Sequence, residues 1–171
     1  TSGVVGVAFS PDGTRVASAS YDGSVRLWDT STSSEVRLLQ QHTGPVNAVA
    51  FSSDSSMLAS ASTDKTVVLW DVASGAVRFV CQGHTGGVQG VHFNPKDNIV
   101  ASASLDKTVR LWDVTTGEQL QCLGHTSNVS DVVFDPTGQQ LASASRDATV
   151  ILWNTTGHQL QRLEGHTGPI C

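Results

Sequence analysis

From Ala101 to Asp113 the chain reads ASASLDKTVRLWD. The same phrase stands at Ala17 to Asp29 as ASASYDGSVRLWD and at Ala59 to Asp71 as ASASTDKTVVLWD. A fourth copy, ASASRDATVILWN, runs from Ala142 to Asn154. Each copy joins a stretch of small residues to a turn built on Asp, and then to an alternating strand that ends on Trp. Trp recurs at 28, 70, 112 and 153, and the turn Asp at 22, 64, 106 and 147. Both series step by 42, 42 and 41 residues. A period of about 40 to 45 residues is the signature of an array of supersecondary units.

The punctuation within one period marks four short strands. In the second copy, Val46 to Phe51 is apolar and β-prone, and SSDSS follows as a turn. Met57 to Ser62 forms a second strand, and Thr63-Asp64-Lys65 turns the chain tightly. Thr66 to Trp70 is the third strand, DVASG the next turn and Ala76 to Cys81 the fourth strand. Strands of five or six residues between Asp, Ser, Gly and Pro turns predict an all-β chain. The turns SPDG, NPKD and DPTG at 10, 94 and 135 fit hairpin geometry. No segment sustains a 3.6-residue apolar period, so essentially no helix is expected.

The third strand dictates how such sheets assemble. In Thr108 to Trp112, Val109 and Leu111 point to one face, while Arg110 and Trp112 point to the other. Both faces therefore carry apolar surface. One four-stranded sheet cannot cover both alone, so sheets must stack on neighbours. Radial stacking of four-stranded blades makes a β-propeller.

A His after Gly or Gln recurs at 42, 84, 125 and 166. With the Trp-Asp at the end of each third strand, this resembles the WD-repeat β-propeller family over essentially the whole chain. Gln41 stands for Gly before His42, Asn154 stands for Asp after Trp153, and the first repeat has no His before it. The resemblance implies four blades, at about 1–41, 42–83, 84–124 and 125–165, with 166–171 opening a fifth repeat. It also implies a buried polar network in each blade. That network would be His42, Ser60, Asp64 and Trp70 in the second blade, and His84, Ser102, Asp106 and Trp112 in the third. In the fourth it would be His125, Ser143, Asp147 and Trp153. The first blade holds Ser18, Asp22 and Trp28, and the matching histidine is His166 at the other end of the chain. The chemistry fits these residue types. The Asp accepts from one imidazole nitrogen, Ser meets the other, and the indole N–H needs an acceptor that Ser can supply.

His42, Ser60 and Asp64 could also be read as a hydrolytic triad. A catalytic site is normally built once, whereas this trio recurs beside a Trp that would shield it. No G-x-S-x-G, P-loop, dinucleotide-binding glycine motif or H-E-x-x-H is present. The expectation is a chain without catalysis, cofactor or metal, since each His belongs to a different blade.

Composition narrows the function classes. The chain has 171 residues, 39% hydrophobic and 15% charged, with net charge −5. Lys and Arg are scattered, which argues against a nucleic-acid surface. No apolar run nears the roughly 18 residues of a membrane helix. No signal peptide is visible, and three cysteines in no dense pattern favour a reducing, intracellular and cytoplasmic setting. Cys81 and Cys122, each three residues before a His, are expected to be small buried hydrophobes. The sequons at Asn128 and Asn154 read as chance in a Ser/Thr-rich chain.

Partners are expected on the face carrying the loops into each first strand and the Asp turns. The residue before each turn Asp projects there: Tyr21, Thr63, Leu105 and Arg146. Asn47, Gln89, Asn128 and Ser130, on the loops entering the blades, belong to the same face. Tyr and Arg are frequent interface anchors. This favours a scaffold for protein or peptide partners; the alternative is a ligand-binding or lectin-like propeller with pockets between blades. Three arrangements are open for the array: an excised piece of a longer one, a closed four-bladed ring, or two chains joined head to tail. The favoured expectation is a piece of a longer array, closing as a dimer into an eight-bladed ring in which His166 of one chain completes Ser18, Asp22 and Trp28 of the other.

Overall fold

The computed structural model describes residues 2–170. Every regular element among them is a strand, and the strands form four antiparallel sheets of four. The first sheet holds β1 (Val4–Phe9), β2 (Arg15–Ser20), β3 (Ser24–Asp29) and β4 (Glu35–Gln40). The second holds β5 (Val46–Phe51), β6 (Met57–Ser62), β7 (Val67–Asp71) and β8 (Val77–Cys81). The third holds β9 (Val88–Phe93), β10 (Ile99–Ser104), β11 (Thr108–Asp113) and β12 (Gln119–Gly124). The fourth holds β13 (Val129–Phe134), β14 (Gln140–Ser145), β15 (Thr149–Asn154) and β16 (Gln159–Glu164). Each is a simple meander in sequence order. The all-β expectation holds, and β5 and β6 occupy the expected residues. The third and fourth strands of that sheet start one residue later than the sequence indicates, at Val67 and Val77.

The repeated phrase folds as the hairpin between the second and third strands. Ser102 lies opposite Arg110 and Ala101 opposite Leu111. The tight turn between them needs one residue with positive φ. Gly23 supplies it in the first sheet, and Lys65, Lys107 and Ala148 adopt φ of 74°, 74° and 67° in the others. The turn Asp makes this tolerable: Asp106 accepts from the backbone N–H of Thr108 at 3.0 Å and from its hydroxyl at 2.6 Å.

The core lies between sheets. Ala17, Ala19, Val25, Leu27 and Leu39 of the first sheet meet Val46, Val49, Phe51, Leu58, Val68 and Trp70 of the second. The same pattern joins the second sheet to the third and the third to the fourth. Val109 and Leu111 pack on the fourth sheet, while Trp112 packs on the second. The alternation of β11 thus feeds two cores at once. The small Ala-x-Ala face of one sheet accepts the bulky Val, Phe and Trp face of the next.

The innermost strands β1, β5, β9 and β13 are successive neighbours. They line a common hollow of about 650 Å³ that includes Asn47, Gln89, His92 and Ser130. No packing of comparable extent links the fourth sheet to the first. The four sheets form an open arc, and a closed four-bladed ring is not what this chain adopts.

One expectation is corrected. Cys81 is buried, but Cys122 is exposed. Cys81 pairs with Val67, whereas the partner of the equivalent Val109 is Leu123. The third repeat is one residue shorter between its Trp and the next His, as Trp112 and His125 lie 13 apart against 14 for Trp70 and His84. Counting back from His therefore lands one residue off, and period-two alternation turns Cys122 outward. Burial pushes the Cys81 thiol up to about 12.

Candidate functional site

Two features carry the chemistry of this molecule: the polar network inside the blades and the rim of turns above it. In the third blade, the His84 ring lies 2.8 Å from Asp106 through Nδ1 and 2.8 Å from Ser102 Oγ through Nε2. The Trp112 indole N–H donates to the same Ser102 Oγ at 2.8 Å. A carboxylate only accepts, so Nδ1 carries the proton. Nε2 then accepts from the Ser102 hydroxyl, whose oxygen accepts from Trp112. Each polar group has a partner of the right sense, as a buried network requires.

The second blade brings His42, Asp64, Ser60 and Trp70 together at 2.8 Å for each of the same contacts. The fourth does so with His125, Asp147, Ser143 and Trp153, at 3.0, 2.7 and 2.8 Å. In the first blade Trp28 donates to Ser18 at 2.9 Å and Asp22 accepts from Ser24. No imidazole among the described residues joins them, and His166 is exposed at the far end of the arc.

Burial sets the protonation states. It pushes the His84 imidazole below its ordinary range despite Asp106, and does the same to His125 despite Asp147. Burial alone would raise the Asp106 carboxyl. The hydroxyl of Thr108, the N–H of Thr85 and the ring N–H of His84 outweigh it and hold the carboxyl at about 2. Asp64 and Asp147 are lowered by the same kinds of contact. The folded state therefore binds fewer protons than the unfolded chain at both steps. The stability that these groups contribute is fully present above the ordinary histidine value of 6.5. It falls first as pH drops through that value, and again between 3.8 and about 2 as the Asp106 carboxyl protonates. Urea midpoints taken at several pH values check this; a midpoint that stays level from neutral pH down to about pH 4 would contradict the neutral, buried state of the histidines.

The Ser-His-Asp distances match those of a hydrolytic triad, but the chemistry does not follow. Ser102 and Ser143 are fully buried, and each is held by an indole N–H. A substrate carbonyl cannot approach such an oxygen. What the arrangement does is tie the loop before the first strand to the second and third strands.

Two further sets of residues serve this tie. Ser62, Ser104 and Ser145 sit two positions before each turn Asp. Ser104 donates to the carbonyl oxygens of Gly86 and Gly87, and Ser62 and Ser145 repeat the contact. Thr66, Thr108 and Thr149 each donate to the turn Asp at 2.6 Å. Both sets escaped the sequence reading, although their recurrence in register was visible. Gly86 is also tight: a Cβ there would lie 2.7 Å from the Asp106 backbone nitrogen.

The rim above the network carries Tyr21, Thr63, Leu105 and Arg146, all exposed. Tyr21 exposes 53% of its surface and Leu105 37%. Asn47, Gln89, Asn128 and Ser130 are half-buried. The Asn47 side chain donates to the Val88 carbonyl of the next blade at 2.7 Å, and Ser130 donates to the Ile170 carbonyl at 2.9 Å. These two side chains clasp adjacent blades. Ile170 thereby occupies, on the fourth sheet, the place that Val88 occupies on the second.

Residues 3–171 match the family described as the IFT122 first beta-propeller. The chain belongs to this family. Its four meander sheets with repeated Trp, Asp and His are the blades of that β-propeller fold. A 39-residue segment is also 54% identical to the Notchless protein homolog of Arabidopsis thaliana. That segment is 23% of this chain and 8% of the Notchless homolog, so the chain matches only a small part of that protein. Among the described residues, no three His, Cys, Asp or Glu side chains converge as metal ligands. No helix among the described residues is long and apolar enough to cross a membrane.

Proposed function

We propose that this propeller segment is a non-catalytic scaffold that presents the rim of its blades to protein or peptide partners. The observation that carries this reading is the contrast at each Asp turn. The turn is fixed by the same hydrogen bonds in every blade, while the exposed residue before Asp changes from Tyr21 to Thr63, Leu105 and Arg146. A rigid frame thus holds four different side chains at equivalent places, which suits recognition of an extended partner. Rigid placement lowers the ordering cost of binding. Tyr21 and Arg146 are the residue types most often found as anchors. The two described cysteines are free, which supports an intracellular, cytoplasmic setting.

A thermal-shift screen against short peptides and simple sugars tests the reading. Peptides are expected to stabilise the protein, and the shift is expected to vanish in a Tyr21→Ala, Arg146→Ala double variant. Stabilisation by sugars alone would overturn the proposal in favour of a lectin-like propeller.

A further inference from the structure

On the rim opposite the Asp turns, two joints between sheets open into clefts. Between the first and second sheets a cleft of about 540 Å³ is lined by Arg15, Val36 and Arg37 on one side and by Ser56, Asp71 and Val72 on the other. Between the second and third sheets the equivalent cleft, of about 340 Å³, is lined by Met57, Phe79, Asn98 and Val114. Ser56 lines both, so they are neighbours along the rim.

The two clefts occupy the same place in the fold but differ in chemistry. Arg15 and Met57 each open a second strand, opposite Asp29 and Asp71. Arg37 and Phe79 lie opposite Leu27 and Leu69. The first cleft therefore carries two guanidinium groups where the second carries a thioether and a phenyl ring. Arg15 is paired with Asp29, and the Asp71 carboxylate with Arg78 at 2.7 Å. Arg37 donates to the carbonyl oxygens of Ala73 at 3.0 Å and Val36 at 3.2 Å, and makes no ion pair among the described residues. Its guanidinium has further N–H groups to offer, in a fork that fits a carboxylate. Asp12 also lines this cleft, accepting from Ser10 and Thr14 in its own turn. Its charge disfavours a dense polyanion such as a nucleic-acid backbone and leaves a single carboxylate as the better fit. The second cleft has an apolar floor: Met57 and Phe79 pack on the core beside Val114, which is 7% exposed. The Phe79 ring is fixed against Gly117, where a Cβ would lie 2.7 Å from it.

We propose that the two clefts form one docking site for an extended segment of a partner protein, on the rim away from Tyr21 and Arg146. One Asp or Glu side chain of that segment pairs with Arg37, and one apolar side chain enters the cleft over Met57, Phe79 and Val114. Packed sheets lie about 10 Å apart and an extended chain advances about 3.3 Å per residue, which sets the two side chains about three or four residues apart. The site shares no residue with the Asp-turn rim, so it stands or falls independently of the reading above.

Fluorescence anisotropy with dye-labelled, end-blocked Gly/Ser peptides tests the proposal. Each peptide carries one Glu and one Leu at that separation, in either order. One order is expected to bind, and replacing its Glu by Gln is expected to weaken it about fivefold, as for an exposed ion pair. Replacing its Leu by Ser is expected to weaken it about tenfold. Arg37 and Asn98 are exposed, so Arg37→Ala and Asn98→Trp leave the core intact. Arg37→Ala is expected to reproduce the loss from Glu to Gln. Asn98→Trp, which fills the second cleft, is expected to reproduce the loss from Leu to Ser. The Tyr21→Ala, Arg146→Ala double variant is expected to bind unchanged. No binding of either peptide order would overturn the proposal. Affinity unmoved by both Arg37→Ala and Asn98→Trp would overturn the assigned clefts. Affinity lost in the Tyr21→Ala, Arg146→Ala variant alone would also overturn them and move the contact to the Asp-turn rim.

Discussion

Trp112→Ala is expected to lower the stability of the chain by about 3–5 kcal/mol. The ring is 1% exposed and stands in the joint between the second and third sheets, against Ala59, Ala61, Val67 and Leu69. Those partners sit on hydrogen-bonded strands, so they move in only partly to fill the space. The loss combines the transfer free energy of a large aromatic with the free energy of the cavity left behind. Ser102 also loses the indole N–H that it accepts at 2.8 Å. Trp28 offers an internal control, because it occupies the same register in a sheet whose outer face is open and is only half-buried. Trp28→Ala is expected to cost less than half as much. Urea denaturation of the two variants makes the comparison. Equal losses would show that Trp acts within its own blade and not at the joint.

The control works because the repeat is legible as sequence while its neighbourhood is not. The phrase ASASLDKTVRLWD carries enough to place the hairpin, the turn Asp and the two-faced third strand. It does so because strand alternation and turn chemistry are local properties, fixed within a few residues. The network was legible for a different reason. His, Ser, Asp and Trp recur with one period, the resemblance to WD-repeat propellers implies that they join, and their donor and acceptor counts fit that arrangement.

What sequence alone left out depends on the register between repeats. Cys122 illustrates this: a single missing residue before His125 turns its side chain from the core to solvent. The clasp from Asn47 to Val88 crosses between blades and has no local signature. Asn94 makes a similar crossing at the opposite rim, donating to the Gly138 carbonyl at 2.8 Å. Gly138 sits at φ of 74°, and a Cβ there would lie 2.3 Å from the Asn94 side-chain oxygen. The DPTG turn therefore requires its glycine both for the left-handed backbone and for the clasp. The openness of the arc was the favoured expectation but stood beside a closed ring, because the first and fourth repeats spell the same faces as the internal ones. Only the packing shows which copies of a face are covered.

Ser102→Ala is expected to destabilise the chain by about 3 kcal/mol, although it removes a single oxygen atom. That oxygen serves two buried partners in opposite senses: it accepts from Trp112 and donates to His84. Alanine leaves the indole N–H without an acceptor and Nε2 without a donor. Each orphaned group costs roughly 1–3 kcal/mol, since water cannot reach a fully buried site to replace the bond. The packing change is small, so cavity terms do not confuse the result. Ser18→Ala is the matching substitution in the first blade, where the hydroxyl accepts from Trp28 and no imidazole of the described chain is present. It is expected to cost about 1 kcal/mol, the value of one partly solvated bond. The difference between the two substitutions isolates the contribution of the imidazole to a blade. A double-mutant cycle between Ser102→Ala and His84→Phe separates it further. Strong coupling is expected, because once the ring nitrogen is gone the serine has only the indole left to satisfy. Additive losses would mean that His84 holds its loop through Asp106 alone, and the network would reduce to two independent hydrogen bonds.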